Sequence, residues 1–473
     1  MGELVVLTTD ACLFALLAVG LAYWAIARRH EHLRAPWREV WARPAAAGAA
    51  VVLAAFVAIA LADSVHFEAR GEEEGDLVSV LDLALTPLRT RTETSYSAPF
   101  ATHAYARETL RTAEGRVRRE YPRLVYGGAH LAEPTQRAAD LARRAAVGVA
   151  LGLAIFALPL LLAAGVERRR HGGLAAALLA IARGRTRAPW RSLLSVTAAL
   201  ALLVGLGVAV APYYHVLGTD KVGTDVLYQA LKSVRTGILI GSLTTLLSLP
   251  FALALGVTAG YFRGPVDDAV QYLYTTLSSI PGVLLIAAAA LLLDVHMSRH
   301  AEAFDSLAAR ADLRLLALCG ILGLTSWTSL CRLLRAEALK LREIEYVAAA
   351  QALGARAPAI IRRHLLPNVM HIVMITTVLD FSSLVLAEAA LTYIDIGVDP
   401  SMESWGNMIN AARLELAREP AVWWSLVAAL GFMFTLVLAA NLFADAVRDA
   451  FDPRLRRLGV DTAAAGLEES PVR

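Results

Sequence analysis

Lysine, cysteine and charge are all scarce in this chain of 473 residues, and each scarcity closes off a class of function. Lysine occurs only at 221, 232 and 340, preceded by Asp, Leu and Leu, so no Gly-Lys pair is present to cradle a nucleotide phosphate. An ATPase of the P-loop kind is excluded, and any ATP chemistry must belong to a partner. Cys12, Cys319 and Cys331 fall in or beside apolar runs without paired spacing, so they read as small core hydrophobes and not as a disulfide framework or thiolate metal site. Only 18% of residues are charged against 57% hydrophobic, and the mean hydropathy is +0.53, which excludes an ordinary soluble globular protein. A net charge of +3 gives no reason to expect nucleic acid. No Ser/His/Asp or His-Glu-x-x-His arrangement supports hydrolysis, and His215, His296, His300 and His371 lack metal-ligand spacing. Neither a metal nor a cofactor is expected in the chain itself.

What the sequence does have is long apolar runs. Nine are visible, at about 8–27, 44–62, 145–166, 193–212, 237–261, 269–293, 315–334, 369–393 and 422–444, each near or above the roughly 17–20 residues needed to cross a bilayer. The first lacks a basic stretch before it and a small-residue cleavage site after it, so it is expected to be a retained span. Arginines punctuate the runs unevenly. Arg28, Arg29, Arg34, Arg38 and Arg43 follow the first, and Arg168, Arg169, Arg170, Arg183, Arg185 and Arg187 follow the third, with no acid after Glu167 in that segment. Short arginine-rich loops stay in the cytoplasm, which puts the N-terminus and the segment 63–144 outside. Alternation then places 335–368 and the C-terminus inside, in agreement with Arg335, Arg342, Arg356, Arg362, Arg363, Arg448, Arg454, Arg456 and Arg457. The expected fold is an all-α polytopic membrane protein with about nine transmembrane helices. The insert 63–144 mixes acids, including Glu72, Glu73 and Glu74, with bases, and predicts a helix from His103 to Glu120 and another from Pro134 running into the third span. Its apolar residues are too sparse to bury a core alone, so it is expected either to cap the outer mouth or brace a partner, or to be a tethered helical hairpin with no transport role.

One polar island, 341–368, organises the rest. Glu345 to Leu353 is made of good helix formers, Gly354 stands where a left-handed helix stop wants glycine, and Pro358 opens a second short helix that Pro367 closes. Alanines at 348, 349, 350 and 352 give the first helix a smooth face suited to a groove on another protein. No large apolar anchor is expected on it.

With Ala349-Ala350, Gly354 and Leu366-Pro367 in register, the island resembles the cytoplasmic loop of membrane permeases of ATP-binding-cassette importers, specifically the C-type subunit of the dipeptide/oligopeptide/nickel group. Ala348 stands where that family has Glu, and His364 where the general pattern has Ile. Three further stretches are similar to the group in the right order. They are Gly218-Thr-Asp220-Lys-Val-Gly223-Thr-Asp225, then Ala387-Glu388 to Gly397 with Ser404-Trp405-Gly406-Asn407-Met408, then Arg448-Asp-Ala-Phe-Asp452-Pro-Arg454-Leu-Arg456. Thr224 replaces the group's Arg, and Tyr272 and Thr275 occupy places where it often has Arg and Asp.

The resemblance implies a six-span permease core at 193–457 with a coupling loop at 335–368, preceded by a three-span extension at 1–192 that the usual C-type subunit lacks, and followed by a tail at 458–473. It also implies the bacterial cytoplasmic (inner) membrane, a peptide or similar small solute, and import. The implied partners are a second homologous permease, two ATPase subunits that would bind ATP and Mg, an extracytoplasmic substrate-binding protein, and membrane lipid. ATPase docking would fall on Glu345, Tyr346, Ala349, Ala350, Gly354, Ala355, Arg363, Leu366 and Pro367. By the same likeness, Gly218, Asp220, Asp225, Trp405, Gly406 and Asn407 would meet the substrate-binding protein, a loop folded on its own bundle being the plainer alternative. For Arg342, Arg356, Arg362 and Arg363 a simple positive-inside anchor is the favoured reading. Asp380 and Glu388, eight residues apart, share roughly one helical face and either wall the translocation path or hold helices together. The rivals are a stand-alone transporter with Asp380 or Glu388 as its proton site, and a permease-derived sensor acting through the insert.

Overall fold

The computed structural model describes residues 4–68, 77–111, 117–186, 188–300 and 306–451. The chain enters through β1 (Leu4–Val5), α1 (Thr8–Arg29), α2 (Glu31–Ala42) and α3 (Pro44–Asp63). The insert follows with β2 (His66–Glu68), β3 (Leu77–Ser79), α4 (Val80–Ala84), α5 (Thr86–Arg89), β4 (Glu108–Arg111) and β5 (Val117–Glu120). Then come α6 (Arg137–His171), α7 (Leu174–Arg183), α8 (Trp190–Val210), α9 (Val226–Phe262), α10 (Gly264–Ser279), α11 (Gly282–Arg299) and α12 (Leu307–Arg342). The last part holds α13 (Glu345–Ala352), α14 (Ala357–Ile360), a π turn (Ile361–Leu365), α15 (Leu366–Tyr393), α16 (Trp405–Glu415) and α17 (Trp424–Phe451).

Eight helical runs among the described residues are long and apolar enough to cross a membrane. The 36-residue α12 is a ninth long helix, its uncharged stretch running from Leu315 to Cys331 between Arg314 and Arg332. Apart from a three-stranded sheet, β1-β2-β3, the β4-β5 pair and two isolated bridges, the described residues are helical or in turns and irregular loops, so the expected all-α polytopic architecture is present. The helix anticipated from Pro134 does run unbroken into the third apolar run, as a 3-10 turn followed by α6.

Two expectations are corrected. Instead of one helix from His103 to Glu120 there is an antiparallel pair, with Thr109 opposite Arg119 and Leu110 opposite Arg118. Propensity is a weak prior, and Gly115 interrupts the run. The sixth apolar run is not one helix either. Ile280, forced toward extended geometry by the proline after it (φ −87°, ψ 129°), ends α10, and α11 restarts at Gly282. The triplet Glu72–Glu74 and the tail beyond 451 lie outside the described residues.

Glycine seams set the closest helix pairs. Gly148 and Gly152 of α6 lie against Gly205 of α8, where a Cβ on Gly152 would stand 2.8 Å from the Leu202 Cα. Gly256 and Gly260 of α9 press on α12, where a Cβ on Gly256 would meet the Cys331 carbonyl at 2.7 Å. Small residues four apart let backbones approach where there is no hydrophobic gain from leaving lipid. Cys319 and Cys331 are fully buried in the two main apolar clusters, as small core residues.

The N-terminal region does not sit apart. Leu13, Phe56, Ala60 and Tyr96 share one buried cluster with residues of α9, α12, α15 and α17. Three polar networks join the same parts at one end of the bundle. Arg235 of α9, 5% exposed, donates to Asp10 of α1 through Nη2 (2.5 Å) and Nε (3.0 Å). Asp10 in turn pairs with His66 (2.9 Å), and Asp312 of α12 accepts the Thr9 amide (3.1 Å). Lys232 reaches Asp82 (2.7 Å) and Asp63 (3.5 Å), while the Tyr228 hydroxyl donates to Asp82 (2.8 Å). The third network centres on His215, described below. At the opposite end, α2 packs on the end of α17, with Arg43 pairing Asp449 at 2.5 Å.

Candidate functional site

The island stands out from the bundle as a short helix on a braced base. Leu353 caps α13, and Gly354 follows at φ +79°. The Gly354 amide donates to the Gln351 carbonyl (2.9 Å) and the Ala355 amide to the Ala350 carbonyl (3.0 Å), the paired closure of a Schellman stop. A side chain at 354 would be strained whatever the space around it.

The inner side of the loop is fixed. Val347, Ile360 and Leu365 are buried with Leu334, Ala338 and Leu341 at the end of α12 and with Val369 of α15. The Tyr346 hydroxyl accepts from Asn368 Nδ2 (3.1 Å), its ring lies 5.8 Å from that of His364, and Asn368 also donates to the His364 carbonyl (2.6 Å). Glu343, just before α13, pairs with Arg263, and Arg335 of α12 clamps Asp267 of α10. Turn, α12 and re-entry helix therefore hold one another.

The outer side is open. Glu345, Ala348, Ala349, Gln351, Ala352, Gly354 and Ala355 are exposed. Leu353 is 87% exposed, so the expectation of no apolar anchor is wrong: a leucine knob stands at the tip of the alanine face. Sequence reasoning missed it because a leucine one residue before a helix-stop glycine reads as core. Its signal was the lack of another apolar residue at i−3 or i−4 besides alanine. Arg356, Arg362 and Arg363 are exposed as well.

Pro367 does not close the second helix. α14, the π turn and α15 form one helical run, Ala357–Tyr393, in which Pro367 is the second residue of α15. Proline lacks an amide and crowds the carbonyl four residues back, and the widened turn at 361–365 accommodates both. Motion at the loop would thus pass directly into a membrane helix.

The residues assigned to outer docking are buried or half-buried and make contacts within the chain. Asp225, fully buried, caps α9 by accepting the Leu227 amide (2.8 Å) and pairs with His215 (2.8 Å), which also reaches Glu93 of the insert (3.3 Å). Glu93 accepts the amides of Val125, Tyr126 and Gly127 at 2.8–2.9 Å. Burial alone would raise the Glu93 pKa, but His215 and these amides hold it down at about 2. Burial alone would lower that of His215, but the two carboxylates push it up to about 9. Gly218 (φ +75°) lies under Ser97 of the insert, and Asp220 accepts the Val222 and Thr224 amides (2.9 and 2.8 Å). Trp405 is 1% exposed, with Nε1 donating to the Ala230 carbonyl (3.1 Å). Asn407 Nδ2 donates to Asp399 and Met402 carbonyls (3.0 and 2.8 Å). Gly406 lies so close to α15 that a Cβ would stand 2.7 Å from Glu388 Oε1.

Asp380 and Glu388 part company. Glu388, 1% exposed, accepts from Thr392 Oγ1 (2.9 Å) one turn on in α15, where Gly406 of α16 packs against it. Asp380 is half-buried, and among the described residues its carboxylate has no ion pair. No cluster of metal ligands occurs among the described residues.

Comparison with known proteins finds a match at residues 252–457 to the family described as binding-protein-dependent transport system inner membrane component. The oligopeptide transport system permease protein of Bacillus subtilis is 28% identical over 243 residues, covering 51% of this chain and 73% of that protein. The glutathione transport system permease protein of Pectobacterium atrosepticum is 28% identical over 244 residues, with the same coverage. A Brucella suis protein assigned provisionally as a peptide permease is 32% identical over 241 residues, again 51% of this chain and 73% of that protein.

Proposed function

The chain belongs to the binding-protein-dependent permease family of ATP-binding-cassette importers, in its peptide group, and we propose that its 341–368 loop receives the stroke of a partner ATPase. The chain is a transport subunit and not itself an enzyme. The observation that carries the coupling proposal is the exposed Ala348–Gly354 face with Leu353 at its tip, mounted on a base tied to both α12 and α15. An apolar knob on a rigid short helix fits a groove, and a continuous helix behind it transmits rigid-body motion.

In this reading the solute is a peptide or a similar small molecule, and the assembly adds a second permease, two ATPases that bind ATP and Mg, and an extracytoplasmic binding protein. The membrane is the bacterial cytoplasmic one, with the N-terminus and insert outside and the loop and C-terminus inside. That sidedness is supported by the arginines gathered at the loop's end of the bundle. Gly218, Asp220, Asp225, Trp405, Gly406 and Asn407 would shape the outer face from within, with the insert, part of the 1–192 extension, completing it over the 193–457 core.

The test is co-purification from membranes in mild detergent, comparing wild type with Gly354→Asp and assaying the eluate for ATPase activity. Wild type is expected to bring down an ATPase and the variant to lose it while the protein stays folded. If neither captures an ATPase, the coupling reading fails, and flux driven by a proton gradient with Asp380→Asn becomes the discriminating assay.

A further inference from the structure

We propose that the cleft between the α2–α3 junction and the α7–α8 turn binds the phosphate of an anionic phospholipid headgroup. The cleft holds about 310 Å³ and is lined by Ala42, Pro44, Gly184, Thr186, Trp190 and Arg191, among others. It lies where the long helices α3 and α8 begin, at the level where a bilayer's headgroups meet their ends.

The α7–α8 side of the cleft is basic, while the acids at its edge are already engaged, Glu167 with the lining Trp190 (3.1 Å) and Glu39 and Asp449 with Arg43. From Arg168 to Thr219 the sequence contains no acid. Arg191 lines the cleft, and Arg183 and Arg185 are the chain neighbours of lining Gly184. All three are exposed, and none has an ion pair or side-chain hydrogen bond among the described residues. By contrast, Arg170 and His171 share Glu167, and Arg43 pairs with Glu39 and Asp449.

Gly184 ends α7 at φ +69°, and the Arg191 side chain lies across it, 3.1 Å from where a Cβ would be. The turn thus keeps room for that guanidinium beside the cleft. Leu174 (41% exposed) and Leu179 (50%) project from α7, apolar surface that suits the boundary between headgroups and acyl chains. A basic pocket between helix ends, flanked by exposed leucines, has the chemistry of an anionic headgroup site.

The proposal is independent of ATPase docking. Its test uses the full chain in mild detergent and counts retained lipid by native mass spectrometry after adding phosphatidylglycerol or phosphatidylcholine. Phosphatidylglycerol is expected to bind about tenfold better, and R183Q/R185Q/R191Q to remove that preference. R356Q/R362Q/R363Q, which loses equal charge on the 341–368 loop, outside the cleft lining, is expected to keep it. Equal retention of both lipids by wild type overturns the site, as does full retention by the first variant. Equal loss in the second variant also overturns it, in favour of diffuse attraction. Displacement by inorganic phosphate, against sodium chloride of matched ionic strength, would mark a small-anion site and overturn the lipid assignment. All six arginines are exposed, so both variants are expected to fold, and the wild-type lipid comparison stands without them.

Discussion

The two ends of the bundle are built on opposite plans. At the end holding the insert, buried charges are tied across long stretches of sequence, with Arg235 to Asp10, Lys232 to Asp82 and His215 to Glu93. At the end holding the 341–368 loop, the ties, Arg263 to Glu343, Arg335 to Asp267 and Tyr346 to Asn368, lie at the base, and the tip is alanine, Gln351 and Leu353. Networks of satisfied charge fix one geometry, since each buried group left unpaired is costly. An exposed tip gains its partner from outside. The first end therefore reads as the part that holds its shape, and the second as the part that is moved.

The sharpest way to break this contrast is at Arg235. Arg235→Met leaves Asp10 and Asp312 buried without their cation and is expected to cost about 3–5 kcal/mol, seen as a large drop in melting temperature in detergent. A change within a degree of wild type would show that the network does not stabilise that end.

Leu353→Asp is expected to act the other way round. With 87% of the side chain exposed, melting should not change, while ATPase capture falls about thirtyfold, as for a central interface anchor. Unchanged capture would move the docking surface off the tip.

The His215 clasp makes stability at the insert's end depend on pH. His215, at about 9 when folded against an ordinary 6.5, contributes fully below pH 6.5, and the contribution is lost as pH rises through 9. Glu93, at about 2 against 4.5, contributes fully above pH 4.5 and is lost as pH falls toward 2. A plateau between pH 4.5 and 6.5 follows, with a decline of about 1–3 kcal/mol by pH 9. Glu93→Gln should lower the plateau and flatten the alkaline decline. Melting curves across this range that are flat in wild type would remove the clasp from the comparison.

How far each end could be read from sequence follows from the range of its contacts. The loop's frame is local: Gly354, Pro358 and the alanines act within a few residues, and the first helix, its stop and the start of the second are where spacing put them, although the second runs on past Pro367. The networks are not local, since the partners of Tyr228 and Arg235 lie 146 and 225 residues away. Trp405 shows the same limit. Its amphipathic ring suits a membrane interface equally well, and only the Ala230 carbonyl, 175 residues off, decides that it points inward. The apolar runs were legible because a span must be apolar along its whole length, but the break at Ile280 depends on one proline within such a run.

The smallest expected effect probes the joint between the two plans. Tyr346 is 43% exposed, yet its hydroxyl accepts from Asn368 across the turn from α13 to α15. Tyr346→Phe keeps the ring against His364 and removes only that bond, about 0.5–1 kcal/mol at a partly wet site. Docking through the outer face should survive, so ATPase capture stays at the wild-type level. If the loop passes motion as a rigid piece, looser attachment to α15 lets part of each stroke be absorbed, and ATP-driven uptake per ATP hydrolysed should fall about twofold in proteoliposomes. An unchanged ratio would mean that the buried contacts of Val347, Ile360 and Leu365 carry the motion without the Tyr346 tie.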